Sequence, residues 1–261
     1  MKYVSTFTFV LLVFTSCSQS SDLFVDLKNS NDSLIQKIQA PQIYIQALEK
    51  RIPAVSVKNV LSKSCTIKLL IAFGVNLELE LKRPKKDNQN FLCVPAAYST
   101  TGNFIDGLFI SNGMVVNQDV NPLLTGACIV NSNSIRIIRH DEINEALKTE
   151  IVKAEQSFFQ QTLLVKDSQL VNCNLFGERK NVRRALIQFN DYYCIGESDR
   201  PITIKEFQES LIEIGASDAI NLDMGTWSEG WYKDSDNRTV TIGETMTNTP
   251  RQTNWIVFVK K

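Results

Sequence analysis

Alternating apolar and polar positions predict that the chain is mainly β-structure after residue 55. Residues 77–82 alternate strictly, which is typical of a strand with one buried face. Asn112-Gly113 separates two β-rich arms over residues 107–116 and predicts a type I′ hairpin. Residues 162–171 and 181–195 have the same hairpin form. Further apolar runs predict strands at 91–98, 127–130, 134–138, 239–242 and 253–259.

Two segments are predicted to be helical. Apolar residues recur at helical spacing over 142–158, which indicates an amphipathic helix with Asp141 as its N-cap. Thr203 and Glu206 have the spacing of a capping box, so a second helix is expected to begin there and to end at Gly215. This order of elements predicts an α+β fold: a mixed, mainly antiparallel sheet with two or three packed helices.

The composition excludes several classes of function. The chain has 261 residues with 28 basic and 28 acidic side chains, and this balance argues against nucleic-acid binding. His140 is the only histidine, which excludes most histidine metal sites and argues against a Ser-His-Asp triad. No cofactor-binding motif is present, although Asp223 with main-chain oxygens could still hold a divalent cation.

The beginning of the chain is typical of an exported protein. Residues 10–14 form an apolar run that is too short to span a bilayer, and small residues follow it. Small residues directly before Cys17 resemble the lipobox of bacterial lipoproteins, in which the cysteine is lipidated and anchors the protein to a membrane. An ordinary cleaved signal peptide is the alternative. We expect an exported lipoprotein on the periplasmic face or the outer-membrane surface.

This interpretation divides the chain into three parts: a lipoprotein signal peptide (residues 1–17), a tether with an N-terminal extension (18–54) and one domain (55–261). Beyond Cys17 the number of cysteines is odd, and four of them have apolar neighbours. Buried free thiols are therefore favoured over a disulfide framework, with one bridge left open. These cysteines are Cys65, Cys93, Cys128, Cys173 and Cys194.

The candidate chemistry is concentrated in residues 215–232. Asp223 stands where an apolar strand ends, between Asn221 and Gly225. A carboxylate, a glycine-rich turn and the nearby aromatic rings are what a small carbohydrate pocket needs. The competing interpretation is an aspartate that caps a turn, with the aromatic residues buried in the core. The aromatic residues are Trp227, Trp231 and Tyr232.

The ordered set of motifs over residues 90–261 resembles the phosphodiester glycosidase family, in the form found in lipoproteins of Bacteroidota. The resemblance implies that family's fold and a hydrolase that releases a sugar such as N-acetylglucosamine from a sugar-1-phosphodiester or related glycan. The motifs are Arg183-Arg-Ala185, the capped helix, Gly215-Ala216, Asn221-Leu-Asp-Met-Gly225 and Thr253-Asn-Trp255.

The resemblance also implies roles for individual residues. Asp223 would act as nucleophile or as base, and Arg183 would hold the phosphate oxygens. Asn221, Gly225 and Asn254 would form the sugar site. The stacking faces would be Tyr98, Trp227 and Trp231, and Glu197 is a candidate second carboxylate.

Some positions depart from the family pattern or allow a purely structural interpretation. Ala96, Ala97 and Met224 stand where the family has glycine. These replacements favour an alternative function, a non-catalytic lipoprotein that binds carbohydrate or sugar phosphate.

Several side chains have structural alternatives. Arg183 could pair with Glu197 or Asp199 instead of a phosphate, and Arg184 is expected at the surface because neighbours on a strand point to opposite faces. Trp255 is expected in the core. Glu229 could line the pocket or solvate a turn.

Overall fold

The computed structural model describes residues 53–100, 102–173, 177–224, 228–244 and 249–261, and these form three antiparallel sheets. The first sheet has seven strands, in the order β1 (Ala54–Leu61), β2 (Thr66–Phe73), β13 (Tyr193–Ser198), β12 (Arg184–Gln188), β14 (Asp218–Asn221), β10 (Leu163–Lys166) and β11 (Gln169–Leu170). The second has five, in the order β16 (Thr239–Ile242), β15 (Gly230–Lys233), β4 (Asn90–Pro95), β17 (Trp255–Lys260) and β3 (Val75–Glu80). The third also has five, in the order β6 (Met114–Asn117), β5 (Phe109–Ser111), β9 (Ser157–Gln161), β7 (Gly126–Asn131) and β8 (Ser134–Arg139).

The three sheets share one hydrophobic interior. Leu186 and Ile220 reach it from the first sheet, Ile256 and Phe258 from the second, and Phe159 from the third. Burial of this apolar surface is the main stabilising contribution to such a core. The central strands of the first sheet are buried on both faces. Polar side chains at the ends of these strands are therefore buried as well.

The second face of the first sheet is covered by a helix, α2 (Ile204–Glu213). Thr203 caps this helix and Glu206 returns a bond to its main chain, so the predicted capping box is confirmed. The chain leaves the helix at Gly215, whose φ of 90° suits glycine. Phe207 and Leu211 are the main helix residues packed against the sheet.

The other helix, α1 (Glu145–Lys153), packs Ile151 against the third sheet. It is shorter than predicted. Its N-cap is Asn144, whose side chain accepts a bond from the amide of Leu147, and Asp141 lies in a preceding 3-10 turn. The assignment of Asp141 as N-cap was therefore wrong. The helix also ends before residue 158, because that residue pairs in β9.

The predicted hairpins are confirmed. Asn112 and Gly113 have φ values of 48° and 74°, as a type I′ turn requires. β10 and β11 form the second hairpin, and β12 and β13 form the third. The predicted fold, a mainly antiparallel sheet with two or three packed helices, fits roughly. Within the described residues there are two α-helices, the strand pairs are antiparallel, and β-structure predominates.

Among the described residues, no two cysteines are joined by a disulfide. Four of them, Cys65, Cys93, Cys128 and Cys194, are buried as predicted, and Cys173 is partly exposed. Neither α1 nor α2 has the length and apolar character needed to cross a membrane.

Candidate active site

Polar side chains converge at one end of the first sheet, where β14 ends and β12 begins. Antiparallel pairing places Asn221, the last residue of β14, opposite Ala185. The same pairing places Arg184, the first residue of β12, opposite Glu197 near the end of β13. Residues far apart in sequence therefore meet at this end because of strand order and register.

Asp223 lies two residues beyond β14 and is held by the loop that follows β4. Its amide donates to the carbonyl oxygen of Ala96 at 2.9 Å. The amide of Ser99 donates to Oδ2 of Asp223 at 3.1 Å. The side chain is well enclosed, with only 4% of the residue exposed. Two separate segments thus fix the position of this carboxyl group.

Burial raises the pKa of Asp223 to about 8. Four neighbours oppose this effect: the amides of Ser99 and Met224, the positive charge of Arg184 and the side chain of Gln252. The desolvation penalty on the charged form exceeds their combined stabilisation. A pKa shifted toward neutral pH inside a protein is common among catalytic acids and bases.

Arg184 is fully buried, and its positive charge acts on the carboxyl group of Asp223. Its Nε donates to Oε2 of Glu197 at 2.8 Å, Nη2 donates to the same oxygen, and Nη1 donates to the carbonyl oxygen of Ser228 at 2.8 Å. The prediction that Arg184 is a surface residue was wrong. Arg184 faces away from Arg183, as expected, but both faces of β12 are buried. The side chain of Arg184 therefore points into the protein rather than toward solvent.

Arg183 has different neighbours. Its Nε donates to the carbonyl oxygen of Ile202 at 3.2 Å, and its Nη2 donates to that of Arg179 at 2.5 Å. Burial lowers the pKa of Arg183, while the nearby Tyr98 raises it. The described contacts of Arg183 do not include a salt bridge with Glu197, which pairs with Arg184 instead.

Tyr98 connects this region to Asn221. The Asn221 side chain donates to the Tyr98 hydroxyl at 2.7 Å, and Thr162 lies beside the same hydroxyl. Burial, with a smaller effect from the charge of Asp223, raises the pKa of Tyr98. Hydrogen bonds therefore join Asn221 to Tyr98 and Glu197 to Arg184. The charge of Arg184 acts on Asp223, and the charge of Arg183 acts on Tyr98.

Asn254 is buried behind the loop rather than open to a ligand. The Ala97 amide donates to its Oδ1 at 2.6 Å, and its Nδ2 donates to the Ala97 carbonyl oxygen at 3.1 Å. The side-chain amide of Asn254 thus makes the two hydrogen bonds with Ala97 that a neighbouring strand would otherwise make. The sequence suggested a sugar-binding role, whereas these bonds indicate that Asn254 positions the loop.

Trp231 is fully buried and has no accessible face on which a sugar could stack. It packs with Cys93, Trp255 and Val257 on the face of the second sheet that points away from the shared interior. The expected stacking role for Trp231 is therefore corrected, and the core position of Trp255 is confirmed. Gly225 and Trp227, also predicted at the site, lie outside the described residues.

Glu229 forms an ion pair with side chains of another segment. It is buried and bonds to Arg83, with Lys86 at 3.5 Å from the same oxygen. These contacts connect the basic turn after β3 to the residue that precedes β15. Glu229 therefore does not solvate a turn, because its carboxyl group is buried in this ion pair.

The sequence analysis missed Arg184, Ser99 and Gln252. A signal for Arg184 was present, because the residues after it, Ala-Leu-Ile, run without polar alternation. Such a run is typical of a strand that is buried on both faces. The Ser99 and Gln252 contacts come from loops and have no comparable sequence pattern.

Comparison with known proteins identifies the class of the protein. The phosphodiester glycosidase family model matches residues 94–258, so the chain belongs to the phosphodiester glycosidase family. No curated protein sequence matches it. Among the described residues, His, Cys, Asp and Glu side chains form no group of three or more that could hold a metal ion.

Two solved structures share the fold. One is the catalytic domain of zebrafish N-acetylglucosamine-1-phosphodiester alpha-N-acetylglucosaminidase, auto-inhibited by its pro-peptide; its TM-score is 0.53 at 10% identity, over 80% of this chain and 83% of that one. The other is a hypothetical protein from Synechocystis, with a TM-score of 0.56 at 11% identity, over 79% of this chain and 62% of that one.

Proposed function

We propose that this protein hydrolyses a sugar-1-phosphodiester and that Asp223 and Arg184 are the central residues of the reaction. The observation that carries the proposal is the burial of Asp223 at the end of the first sheet, where the positive charge of buried Arg184 acts on its carboxyl group. Family membership supports a hydrolase of the glycosidase type. The substrate class and the residue roles are our own inference from the chemistry of these groups.

A sugar-1-phosphodiester has a weakly basic leaving group. Cleavage of the bond between the anomeric carbon and the phosphate oxygen therefore needs little protonation, unlike cleavage of an ordinary glycoside. One carboxylate and one cation can then replace the usual pair of carboxyl groups. Asp223 in its ionised form attacks the anomeric carbon or takes a proton from the attacking water.

Arg184 supplies the cation in this scheme. A buried guanidinium stabilises the negative charge that develops on the departing phosphate more strongly than an exposed one does. Glu197 bonds two nitrogens of the guanidinium and so holds its plane in place. We assign Glu197 as a positioning residue. Arg183 remains a candidate for a second phosphate contact, on the side of Tyr98.

A second candidate function is binding without catalysis. Ala96 and Ala97 stand where the family has glycine, and both are fully buried. Two added methyl groups change the loop that carries Ser99 and thus the space around Asp223. A protein altered in this way could retain affinity for a sugar phosphate while losing turnover.

The test compares two substrates on the full-length protein: the methyl phosphodiester of N-acetylglucosamine at its anomeric oxygen, and the methyl glycoside of the same sugar. We expect release of free sugar from the first only. Asp223→Asn should lower kcat/KM by about a thousandfold or more, and Arg184→Lys by about a hundredfold. Arg183→Lys is the matched control for the position of the charge, and a smaller loss is expected.

The outcomes separate the two candidates. Turnover that survives in folded Asp223→Asn would exclude the proposed role of this residue. Binding of the phosphodiester by calorimetry without release of sugar would favour the binding protein. Equal losses of kcat/KM in the two arginine variants would mean that both Arg183 and Arg184 contact the phosphate.

We also propose that the protein works outside the cytoplasm, anchored to a membrane through lipidated Cys17. Incorporation of labelled palmitate that is abolished in Cys17→Ser would support this proposal. Efficient export without any lipid incorporation would instead indicate an ordinary cleaved signal peptide.

A further inference from the structure

A cavity adjoins the candidate active site on the side of the loop that faces the third sheet. Its volume is about 580 Å³, which lies within the range of small-molecule sites. Thr100, which follows Ser99 in the chain, and Thr253 are among its lining residues. The Thr253 hydroxyl is 3.2 Å from that of Ser99, whose amide donates to Asp223. Ser99 therefore connects the lining of the cavity to the carboxyl group of Asp223.

The lining of the cavity combines apolar surface with negative charge. Phe104 is 73% exposed, and Val116 and Val120 are also exposed at its rim. Asp106 and Asp119 add two carboxylates, and the described lining residues include no lysine or arginine. Exposed apolar groups beside acidic groups favour a ligand that has both an apolar segment and a positive charge.

The polar groups for the sugar lie elsewhere. Asn221 and Tyr98 are on the sheet side of the same loop and carry the hydrogen-bonding groups that a sugar needs. The cavity is left for the group on the other side of the reacting bond. In a phosphodiester this group is the alcohol that is esterified to the phosphate.

We propose that the cavity is the subsite for this alcohol and that it prefers a cationic, partly apolar alcohol to an anionic one. The inference deepens the proposed function and rests on it. Asp119 and Asp106 would attract an amine, and Phe104 would cover the apolar segment before it. A nucleotide or another group with extra negative charge would meet two carboxylates in place of a cation.

Three substrates test the preference. They are the 6-aminohexyl, hexyl and 5-carboxypentyl phosphodiesters of N-acetylglucosamine, which share the sugar and the phosphate and differ in terminal charge. We expect kcat/KM to fall in that order, with a ratio of about five to ten between aminohexyl and hexyl at low salt. Because exposed charges are screened, the ratio should decrease as ionic strength rises.

Two variants locate the effect. Asp119→Asn should remove most of the preference by lowering kcat/KM for the aminohexyl ester. It should leave kcat/KM for the hexyl ester unchanged. Asp191→Asn is the matched control: it makes the same change of charge in the exposed turn between β12 and β13, at the opposite end of the sheet. Phe104→Ala should lower kcat/KM for the hexyl and aminohexyl esters together.

The failure of this inference can be told from failure of the proposed function. Equal turnover of the three esters, with Asp119→Asn acting like Asp191→Asn, would overturn the subsite while leaving the hydrolase intact. If none of the esters is hydrolysed, calorimetric affinities still rank them. The same order would then support the subsite on a binding protein, and equal affinities or a lack of binding would overturn it.

Discussion

Gly243 lies against the guanidinium of Arg184. A Cβ atom at this glycine would be 3.1 Å from Nη2 of Arg184 and 2.0 Å from the carbonyl oxygen of Ser228, which accepts a bond from the same guanidinium. The residue has a φ of 65°, which also favours glycine. A position without a side chain is thus required for the arginine to bond Ser228.

Gly243→Ala should therefore disturb both stability and activity. We expect a loss of about 2–3 kcal/mol in the free energy of unfolding, from steric and backbone strain together, and at least a tenfold fall in turnover as Arg184 moves. Gly215→Ala is the matched control, because Gly215 has a φ of 90° with no atom near a Cβ at that position. Denaturant unfolding and kinetics on both variants check this. If Gly215→Ala lowers turnover equally, general destabilisation is the cause rather than Arg184.

The pH dependence of turnover reports the state of Asp223. With a pKa of about 8 and a role for the carboxylate, kcat/KM should rise with pH and reach a plateau above pH 8. A pH–rate profile on the phosphodiester substrate measures this. A rate that falls through the same range would show that the protonated form is the active one, and Asp223 would then be a proton donor.

The same carboxyl group should make stability depend on pH in the opposite direction. The folded pKa of about 8 lies above the value of about 3.9 in unfolded chains, so unfolding releases a proton between these limits. The free energy of unfolding should fall as pH rises from 4 to 8, by about 1.4 kcal/mol per unit at most. Asp223→Asn should remove this decrease.

Thermal unfolding of wild type and Asp223→Asn at pH 4 and pH 8 tests the linkage. The variant should be more stable than the wild type at pH 8, and the difference should largely vanish at pH 4. A constant difference at both values would mean that Asp223 is not protonated in the folded protein. Greater stability without activity is a common result of removing a strained functional group.

Asn254→Ala should loosen the loop that holds Asp223. It leaves the buried amide and carbonyl of Ala97 without partners, which costs roughly 2–3 kcal/mol in the free energy of unfolding. Turnover should fall as Ser99 shifts, whereas Asn254→Asp keeps the acceptor and should lose less. If Asn254 binds sugar instead, KM should rise while the unfolding free energy remains unchanged.

Cys173 should react selectively with thiol reagents. It is partly exposed and close to Tyr98 and Arg183, while the other described cysteines are buried. Brief treatment of the native protein with iodoacetamide should modify Cys173 first, as peptide mass spectrometry can show, and should reduce turnover. Cys173→Ser should protect the activity. Retention of full activity after complete modification would place Cys173 outside the substrate's path.

Local signals predicted the local structure. The Asn112-Gly113 turn and the Thr203 capping box depend on residues within a few positions of one another, and both were predictable from sequence. The position of Arg184 depends on which strands flank β12, and strand order is a property of distant segments. Trp231 illustrates the same limit, since it is close to Asp223 in sequence but packs on another sheet.

The place of β17 in the second sheet has a consequence for biosynthesis. This strand lies between β3 and β4, which precede it by most of the domain, and Asn254 directly before it holds the loop next to Asp223. A growing chain therefore cannot close the sheet or complete the site until residues up to Lys260 have left the ribosome. Long-range pairing of this kind also slows folding. The sheet of the nascent polypeptide thus stays open, and the candidate site incomplete, until β17 has been made and released.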